Sequence, residues 1–422
     1  MNINELLCKA ECSCGKCHKC DIESVTIKRG AIKELPSLCE KYDRILLIAD
    51  ANTYDAAGKK VIEALSKKIT NSVIFPAKPL LIPDERAIER ITESLGNSDL
   101  ILGIGSGVIQ DLCKYVSHFN NIPYMIVATA PSMDGYASTG AAMILRGMKE
   151  TVPACLPRAI ICDTRVLKDA PMEMIKAGYG DIIGKYSALS DWKLSNIING
   201  EYLCDYIYDT TYKMIEKTLA CAKGLLRRDE EAVGILAEAL IAVGIMMSFA
   251  GSSRPASGSE HHLSHFFEIV GIVKNEPYFP HGIDVAYSTV LTSRVRERLL
   301  HVSFDKPIFR LSRPEYESRI DMLYGSVAAG CISLQDRVGN YAKDRSSIYK
   351  EKEKDIKAAL AEVPSAKEIK EMLDLVGLDI NEFYSMYGKE KIENAVLYSK
   401  DLKDRYTVLW LNYDLGLTNG VI

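Results

Sequence analysis

The 422-residue chain is short of histidine, of net charge and of long apolar runs. A formal net charge of −4 gives no general attraction to nucleic acid or to an anionic membrane surface, and neither is expected as a partner. The opening stretch, Met1 to Lys16, has no apolar core, which excludes a secretory signal there. The most apolar run, Ala239 to Ala250, is too short to span a bilayer and is expected to be a buried helix. Internal repeats and low-complexity tracts are missing as well. What remains is an ordinary globular composition, 47% hydrophobic and 26% charged, on a chain long enough for two or three domains.

Cysteine is not scarce. There are 12, and without a signal they indicate reduced thiols in the cytoplasm rather than a disulfide framework. Cys8, Cys12, Cys14, Cys17 and Cys20 crowd the start, with His18 among them. The spacing of Cys12, Cys14, Cys17 and Cys20 suits a tetrahedral thiolate site for zinc, or an iron–sulfur cluster. Four sulfur ligands so placed would make a knuckle and not a catalytic centre. A reduced, exposed turn is the plainer alternative.

The scarcity of histidine makes its distribution informative. Of 7 histidines, His261, His262, His265 and His281 fall close together, and only His18, His118 and His301 lie elsewhere. His261 and His265, four apart, share one face of a helix about one turn apart. Neutral imidazole is the commonest protein ligand for zinc- and nickel-like metals, so H-H-x-x-H with His281-Gly282 nearby reads as a metal centre. Partly buried polar residues on a core helix are the competing explanation. Residues alone leave His261 and His262 both open as ligands.

The first half of the chain alternates short apolar runs with amphipathic stretches, which predicts an α/β unit with a parallel sheet. Strands are expected at Ser24–Lys28, Ile45–Ala49, Ser72–Phe75, from Leu100 into the Gly103–Gly107 turn, at Tyr124–Ala128 and at Ala159–Cys162. Asp84 is a plausible helix N-cap. The Gly103-Ile-Gly-Ser-Gly107 turn follows a strand and opens a helix, where a pyrophosphate can approach backbone N–H groups; a tight packing turn is the alternative. One strand later, Thr129, Ser132, Asp134 and Ser138 supply hydroxyls and a carboxylate at the ligand edge of the sheet. Asp50, ending an early strand, could accept from an adenosine ribose hydroxyl and would disfavour a 2′-phosphate, which leans towards NAD over NADP. Beyond about residue 172 helical periodicity takes over. The expected division is a Cys-rich segment 1–22, a Rossmann-like dinucleotide-binding α/β domain 23–168, and an all-α domain 169–422 that binds metal and substrate. Lys350 to Glu371, interrupted at Pro364, is expected to be a solvated helical face.

Gly105-Ser106-Gly107 with Asp111 and Lys114, Thr129 to Ser138, Gly180-Asp181, Ser257 to His265, and His281-Gly282 occur in one order along the chain. Together they resemble the metal-dependent polyol dehydrogenase superfamily, which includes iron-type alcohol dehydrogenases and dehydroquinate synthase. The nearest branch is the bacterial type of the sn-glycerol-1-phosphate dehydrogenase family. Weaker similarity extends to Asp404–Leu409, whereas the cysteine-rich start departs from the family pattern. The resemblance implies a homodimer and three metal ligands, Asp181, His261 and His281, with zinc, nickel or iron as candidates. It places pyrophosphate over Gly107, Val108, Ile109, Gln110 and Asp111, with Thr129, Ser132 and Ser138 along an NAD(H) or NADP(H) cofactor. Asp134 and His265 fall at the substrate, and His265 or a water could relay the proton. The implied reaction is reversible hydride transfer between a nicotinamide and dihydroxyacetone phosphate, giving sn-glycerol 1-phosphate. A glycerol dehydrogenase, a dehydroquinate-synthase-like lyase and a metal- or redox-sensing protein built on the cysteines are the competing functions. Lys185 and Arg254 flank the motifs where a substrate phosphate would need a cation; a surface ion pair is the alternative for each.

Overall fold

The computed structural model describes residues 3–146 and 148–417. The chain divides into two compact units, Met1–Ile182 with Glu216–Ser252, and Ile183–Ile215 with Ser253–Ile422.

The first unit is built on six parallel strands: β3 (Ser24–Lys28), β4 (Ile45–Asp50), β5 (Ile69–Phe75), β6 (Leu100–Gly105), β7 (Tyr124–Ala128) and β10 (Ala159–Asp163). Two small antiparallel pairs complete it, β1 (Cys8–Lys9) with β2 (His18–Lys19) and β8 (Gly140–Leu145) with β9 (Met148–Pro153). β4, β6, β7 and β10 are apolar because both their faces are covered. Ile45, Leu47, Leu102, Ile104, Met125 and Ile161 enter one core cluster, while the intervening Leu46, Ile48, Ile101 and Ile126 are equally buried. The order β3-β10-β7-β6-β4-β5 puts β5 on one side of β4 and the next strand, β6, on the other. The carboxyl ends of β4 and β6 therefore flank the switch point, where open α/β sheets take their ligands.

The sequence pattern places the domain boundary near residue 168, but the first unit extends to Ile182 and reclaims 216–252. The helix Glu230–Ala250 explains the return. It is long and apolar enough to cross a membrane by length and composition, and it is longer than the 239–250 run suggests; yet most of it is buried in this unit. Ser248 Oγ donates to the Ala137 carbonyl at 3.1 Å, and Glu230 pairs with Arg29 at 2.7 Å. The β8–β9 hairpin has no strong sequence signal.

At the N-terminus, Lys9 pairs with His18 across the β1–β2 ladder, and Gly15 turns the chain at φ +79°. The thiolate knuckle takes a different form from the one its spacing suggests. Cys14 Sγ lies 3.2 Å from His18 Nε2, while Cys17 is exposed and Cys20 is buried, its thiol pushed up by desolvation. Spacing along the chain could not show that an imidazole stands beside the Cys14 thiol.

Every described element of the second unit is helical. His281–Leu300 is its central rod, with Gly282 to Ser293 buried almost without interruption. A buried pair, Arg296 with Asp191 at 2.9 Å, anchors it to the helix Lys185–Asn199. The 350–371 region forms Glu353–Ala361 and Ala366–Asp374 on either side of Pro364. Ile356, Leu360 and Ile369 are buried there, so only part of that stretch is a solvated face.

Candidate active site

β6 ends at Gly105 and the helix Gly107–Asn120 begins after Ser106, whose side chain makes no cap bond. The glycines do different jobs. A Cβ on Gly105 would lie 2.5 Å from the Ile109 Cβ, and one on Gly103 would lie 2.7 Å from the Cys113 sulfur, so these two let the helix pack onto its own strand. At Gly107 the nearest atom would be Met133 Cε at 3.8 Å, so its backbone is the one left approachable. Val108 and Asp111 are half-buried, whereas Ile109 and Gln110 are fully buried. Gln110 Nε2 donates to the Tyr124 hydroxyl and the Tyr136 carbonyl, both at 3.0 Å, so its side chain braces the next loop.

That loop carries Thr129, Ser132, Asp134 and Ser138. Thr129 N–H donates to the Gly105 carbonyl at 3.1 Å, joining it to the glycine turn. Lys114 locks the far side: its buried ammonium donates to the carbonyls of Gly135 at 3.1 Å and Gly140 at 2.7 Å, and reaches Ser138 Oγ at 3.3 Å and Asp111 Oδ1 at 3.4 Å. Desolvation pulls the Lys114 pKa down, partly offset by Asp111. Its buried side chain and four oxygen neighbours give Lys114 a positioning role that sequence reading missed, although Lys114 stands with Asp111 among the motif residues. Asp50 caps the short helix Ala51–Thr53, with Oδ1 accepting from Asn52 N–H at 2.9 Å and Thr53 N–H at 3.0 Å.

Asp181 lies in the last turn of Met172–Ile183, and its Oδ2 accepts from the Asp134 N–H at 3.0 Å. His261 and His265 project from Ser259–Lys274, and His281 opens the next helix. The three imidazoles converge: ring centroids are 5.1 Å apart for His261–His281, 5.4 Å for His265–His281 and 6.1 Å for His261–His265. Asp181, His261 and His281 each offer one candidate metal-donor atom. His261 Nδ1 is hydrogen-bonded to Glu260 Oε1 at 2.6 Å, and His281 Nδ1 faces Ser264 Oγ at 3.2 Å, so the Nε2 atoms are the ones available to a metal. Glu260 is a second residue that sequence reading missed, hidden by its position directly beside His261. His262 points elsewhere. It is fully buried with neither ring nitrogen hydrogen-bonded, and burial together with Arg405, Lys403 and Arg254 keeps it neutral.

The two expected phosphate cations are already engaged. Arg254 is buried and grips Glu201 through Nε at 2.6 Å and a second guanidinium nitrogen at 2.5 Å, while donating to the Tyr406 carbonyl at 2.8 Å. Arg254 is buried and Glu201 half-buried, so this is not the surface pair that its flanking position suggests. Lys185 is fully buried and donates to the Ala256 carbonyl at 3.0 Å. Arg405 is less committed: one nitrogen donates to the Ser257 carbonyl at 3.0 Å, but its buried Nε has no partner. Burial and Arg254 pull its pKa down to about 10. It lies in the 404–409 stretch, where sequence likeness was weak.

One carboxylate and two imidazoles, three protein donors in all, fit a divalent cation with a position left for another ligand. Such an ion supplies Lewis-acid polarisation of a carbonyl, and a nicotinamide supplies hydride. Residues 26–171 match the model of the iron-containing alcohol dehydrogenase family. Among solved structures, an iron-containing alcohol dehydrogenase from Thermococcus thioreducens shares the fold, with a TM-score of 0.61 at 15% identity, covering 94% of this chain and 100% of that one. The glycerol-1-phosphate dehydrogenase [NAD(P)+] of Geobacillus thermodenitrificans is 33% identical over 278 residues, 64% of this chain and 68% of its own length. That of Bacillus licheniformis is 28% identical over 421 residues, 97% of this chain and 94% of its own. The chain belongs to the glycerol-1-phosphate dehydrogenase family.

Proposed function

We propose that the protein is an NAD(P)-dependent, metal-dependent oxidoreductase that reversibly reduces dihydroxyacetone phosphate to sn-glycerol 1-phosphate. The observation that carries this is the donor set of His261 and His281, with ring centroids 5.1 Å apart, together with Asp181, in a chain whose relatives bear that name. Pyrophosphate lies over the N–H groups that open at Gly107, with the backbone of Val108 to Asp111 continuing the site. Thr129, Ser132 and Ser138 line the cofactor, and Asp50 keeps one carboxylate oxygen for a ribose hydroxyl, favouring NAD. Asp134 orients the substrate, and His265 beside His281 holds or passes the proton. The ion is zinc, nickel or iron. For the substrate phosphate, Lys185 and Arg254 remain candidates, but Arg405 supports the reading better, because a buried guanidinium nitrogen without a partner can gain a phosphate oxygen without losing an existing bond. The working form is a cytoplasmic homodimer.

The test is oxidation of NADH by the purified full chain with dihydroxyacetone phosphate, run beside unphosphorylated dihydroxyacetone. The phosphorylated substrate is expected to be strongly preferred, and Arg405→Ala to raise its apparent KM roughly ten- to a hundredfold, the worth of one charge-assisted contact of about 1.5–3 kcal/mol. Preference for the unphosphorylated ketone would make the protein a glycerol dehydrogenase. Cofactor that is recycled without net NADH change would make it a lyase.

A further inference from the structure

We infer that Cys12 and Cys14 form a reversible dithiol–disulfide pair, with Cys14 as the attacking sulfur and His18 as its base. All three residues belong to one compact unit, and none serves the dehydrogenase chemistry proposed above. The Cys12 and Cys14 sulfurs and a ring nitrogen of His18 lie within 4.8 Å of one another. Cys14 Sγ is 3.2 Å from His18 Nε2. The chain turns at the two cysteines: the Gly15 N–H donates to the Cys12 carbonyl at 2.9 Å, and Gly15 takes φ +79°. Residues two apart in such a turn fall within the Cα separation of about 4.4–6.8 Å that a disulfide accepts.

The histidine is held for this task. His18 is 1% exposed and stacks on Phe249 of the same unit, with centroids 5.1 Å apart and planes 19° apart, so its Nε2 stays towards the sulfur. Other cysteines are in the opposite condition. Burial pushes the thiols of Cys39 and Cys221 up to about 11, and those of Cys162 and Cys331 up to about 12, so they stay protonated and inert. Cys12 and Cys14 are half-buried, within reach of a small reagent, and only Cys14 has an imidazole to take its proton. The oxidant is a low-molecular-weight disulfide, RS–SR. His18 takes the Cys14 proton, and the thiolate attacks one sulfur of RS–SR; the S–S bond breaks and RS⁻ leaves, protonated by the imidazolium. Cys12 then gives its proton to the imidazole and attacks the Cys14 sulfur, expelling the second RS⁻, which takes that proton. Two cysteine thiols are oxidised to one disulfide, and one disulfide is reduced to two thiols. With only Ser13 inside the ring, the new bond is poorly placed in torsion and is readily reduced again.

The experiment exposes the reduced full chain to oxidised glutathione, quenches with an alkylating agent at timed points, and maps the cysteines by peptide mass. The Cys12–Cys14 disulfide is expected first, ahead of any glutathione adduct on exposed Cys8 or Cys17, and dithiothreitol is expected to reverse it. Cys12→Ser should trap Cys14 as its glutathione adduct, whereas Cys14→Ser should leave Cys12 as slow as Cys17. His18→Asn should slow the reaction of Cys14 about tenfold, the effect of one pKa unit on the thiolate fraction, and leave the final disulfide unchanged. The wild-type order of reaction stands as a test even if that variant does not fold, since exposed Cys17 is its internal control. Faster reaction at Cys8 or Cys17 overturns the proposal, as does pairing of Cys12 or Cys14 with any other cysteine. So does isolated protein in which both thiols resist alkylation until a chelator is added, because the pair would then be holding a metal.

Discussion

Two helices in this protein begin in nearly the same way and put that beginning to opposite uses. Gly107–Asn120 starts after Ser106 at φ −117°, ψ −144°, and Ser259–Lys274 starts after Gly258 at φ −120°, ψ −145°; neither cap residue bonds through its side chain. Both therefore present the same ring of N–H donors and the same positive end of a helix dipole. At the second helix the protein fills that field itself. Gly258 N–H donates to Glu260 Oε1 at 2.9 Å and Ser259 N–H to Asp191 Oδ2 at 2.6 Å, and a Cβ on Gly258 would lie 2.7 Å from the Asp191 oxygen. At the first helix no acidic residue stands in the opening turn, and the space beside Gly107 is open to 3.8 Å. The occupied helix start braces His261, since Glu260 also holds its ring; the open one leaves its N–H groups available to an anion from outside.

The contrast can be broken most severely at Asp191. It accepts from Ser259 and Val408 N–H groups at 2.6 and 2.8 Å and pairs with buried Arg296, so Asp191→Ala leaves a cation unpaired in the core. We expect a loss of about 3–5 kcal/mol in chemical denaturation. Glu260→Ala should be next: with its orienting carboxylate gone, His261 should bind metal about 10–100-fold more weakly in a competition titration, while the fold survives. Affinity equal to wild type would show that the occupied start is merely structural. Ser106→Asp tests the open start by giving it a resident anion. Dinucleotide affinity should fall about tenfold, or about 1.4 kcal/mol, while stability holds or rises by about 0.5–1 kcal/mol from the new cap. Unchanged affinity would mean that no external anion docks there.

A third helix start, Asp163 capping Thr164–Leu167, allows a pH test with the smallest effect. Burial alone would raise its pKa, but bonds from Arg165 and from the Gly30 and Arg165 N–H groups outweigh it and hold the carboxyl below its usual value. The unfolded chain then takes up the proton first as pH falls, so the stabilisation is whole above the ordinary Asp value of about 3.9 and is lost as pH drops through the lower folded value. The stability gap between wild type and Asp163→Asn should be constant near neutrality and close only below about pH 4. A gap that closes at pH 6 would assign the effect to another group.

What could be read in advance follows from how local each signal is. β4, β6, β7 and β10 announce themselves because a strand buried on both faces must be apolar throughout. The histidine cluster is legible because helical spacing alone aligns His261 with His265. Apolarity in Glu230–Ala250 says that the helix is buried but not against what, so its return to the first unit could not be read. That Arg254 is buried against Glu201 could not be read, because the two are remote in sequence.

The loop that carries Asp134 is seated in two notches. A Cβ on Gly178 would lie 1.9 Å from the Pro131 carbonyl oxygen, and one on Gly244 would lie 2.8 Å from the Asp134 carbonyl oxygen and the Ala137 Cβ. Both glycines are inside helices, where alanine is ordinarily preferred by about 1 kcal/mol and where thermostabilising changes are usually sought. Here that route is closed. Because Asp181 follows Gly178 in the same helix and takes the Asp134 N–H, widening either notch would displace Asp181, and a heat-adapted version of this enzyme must find its added stability elsewhere.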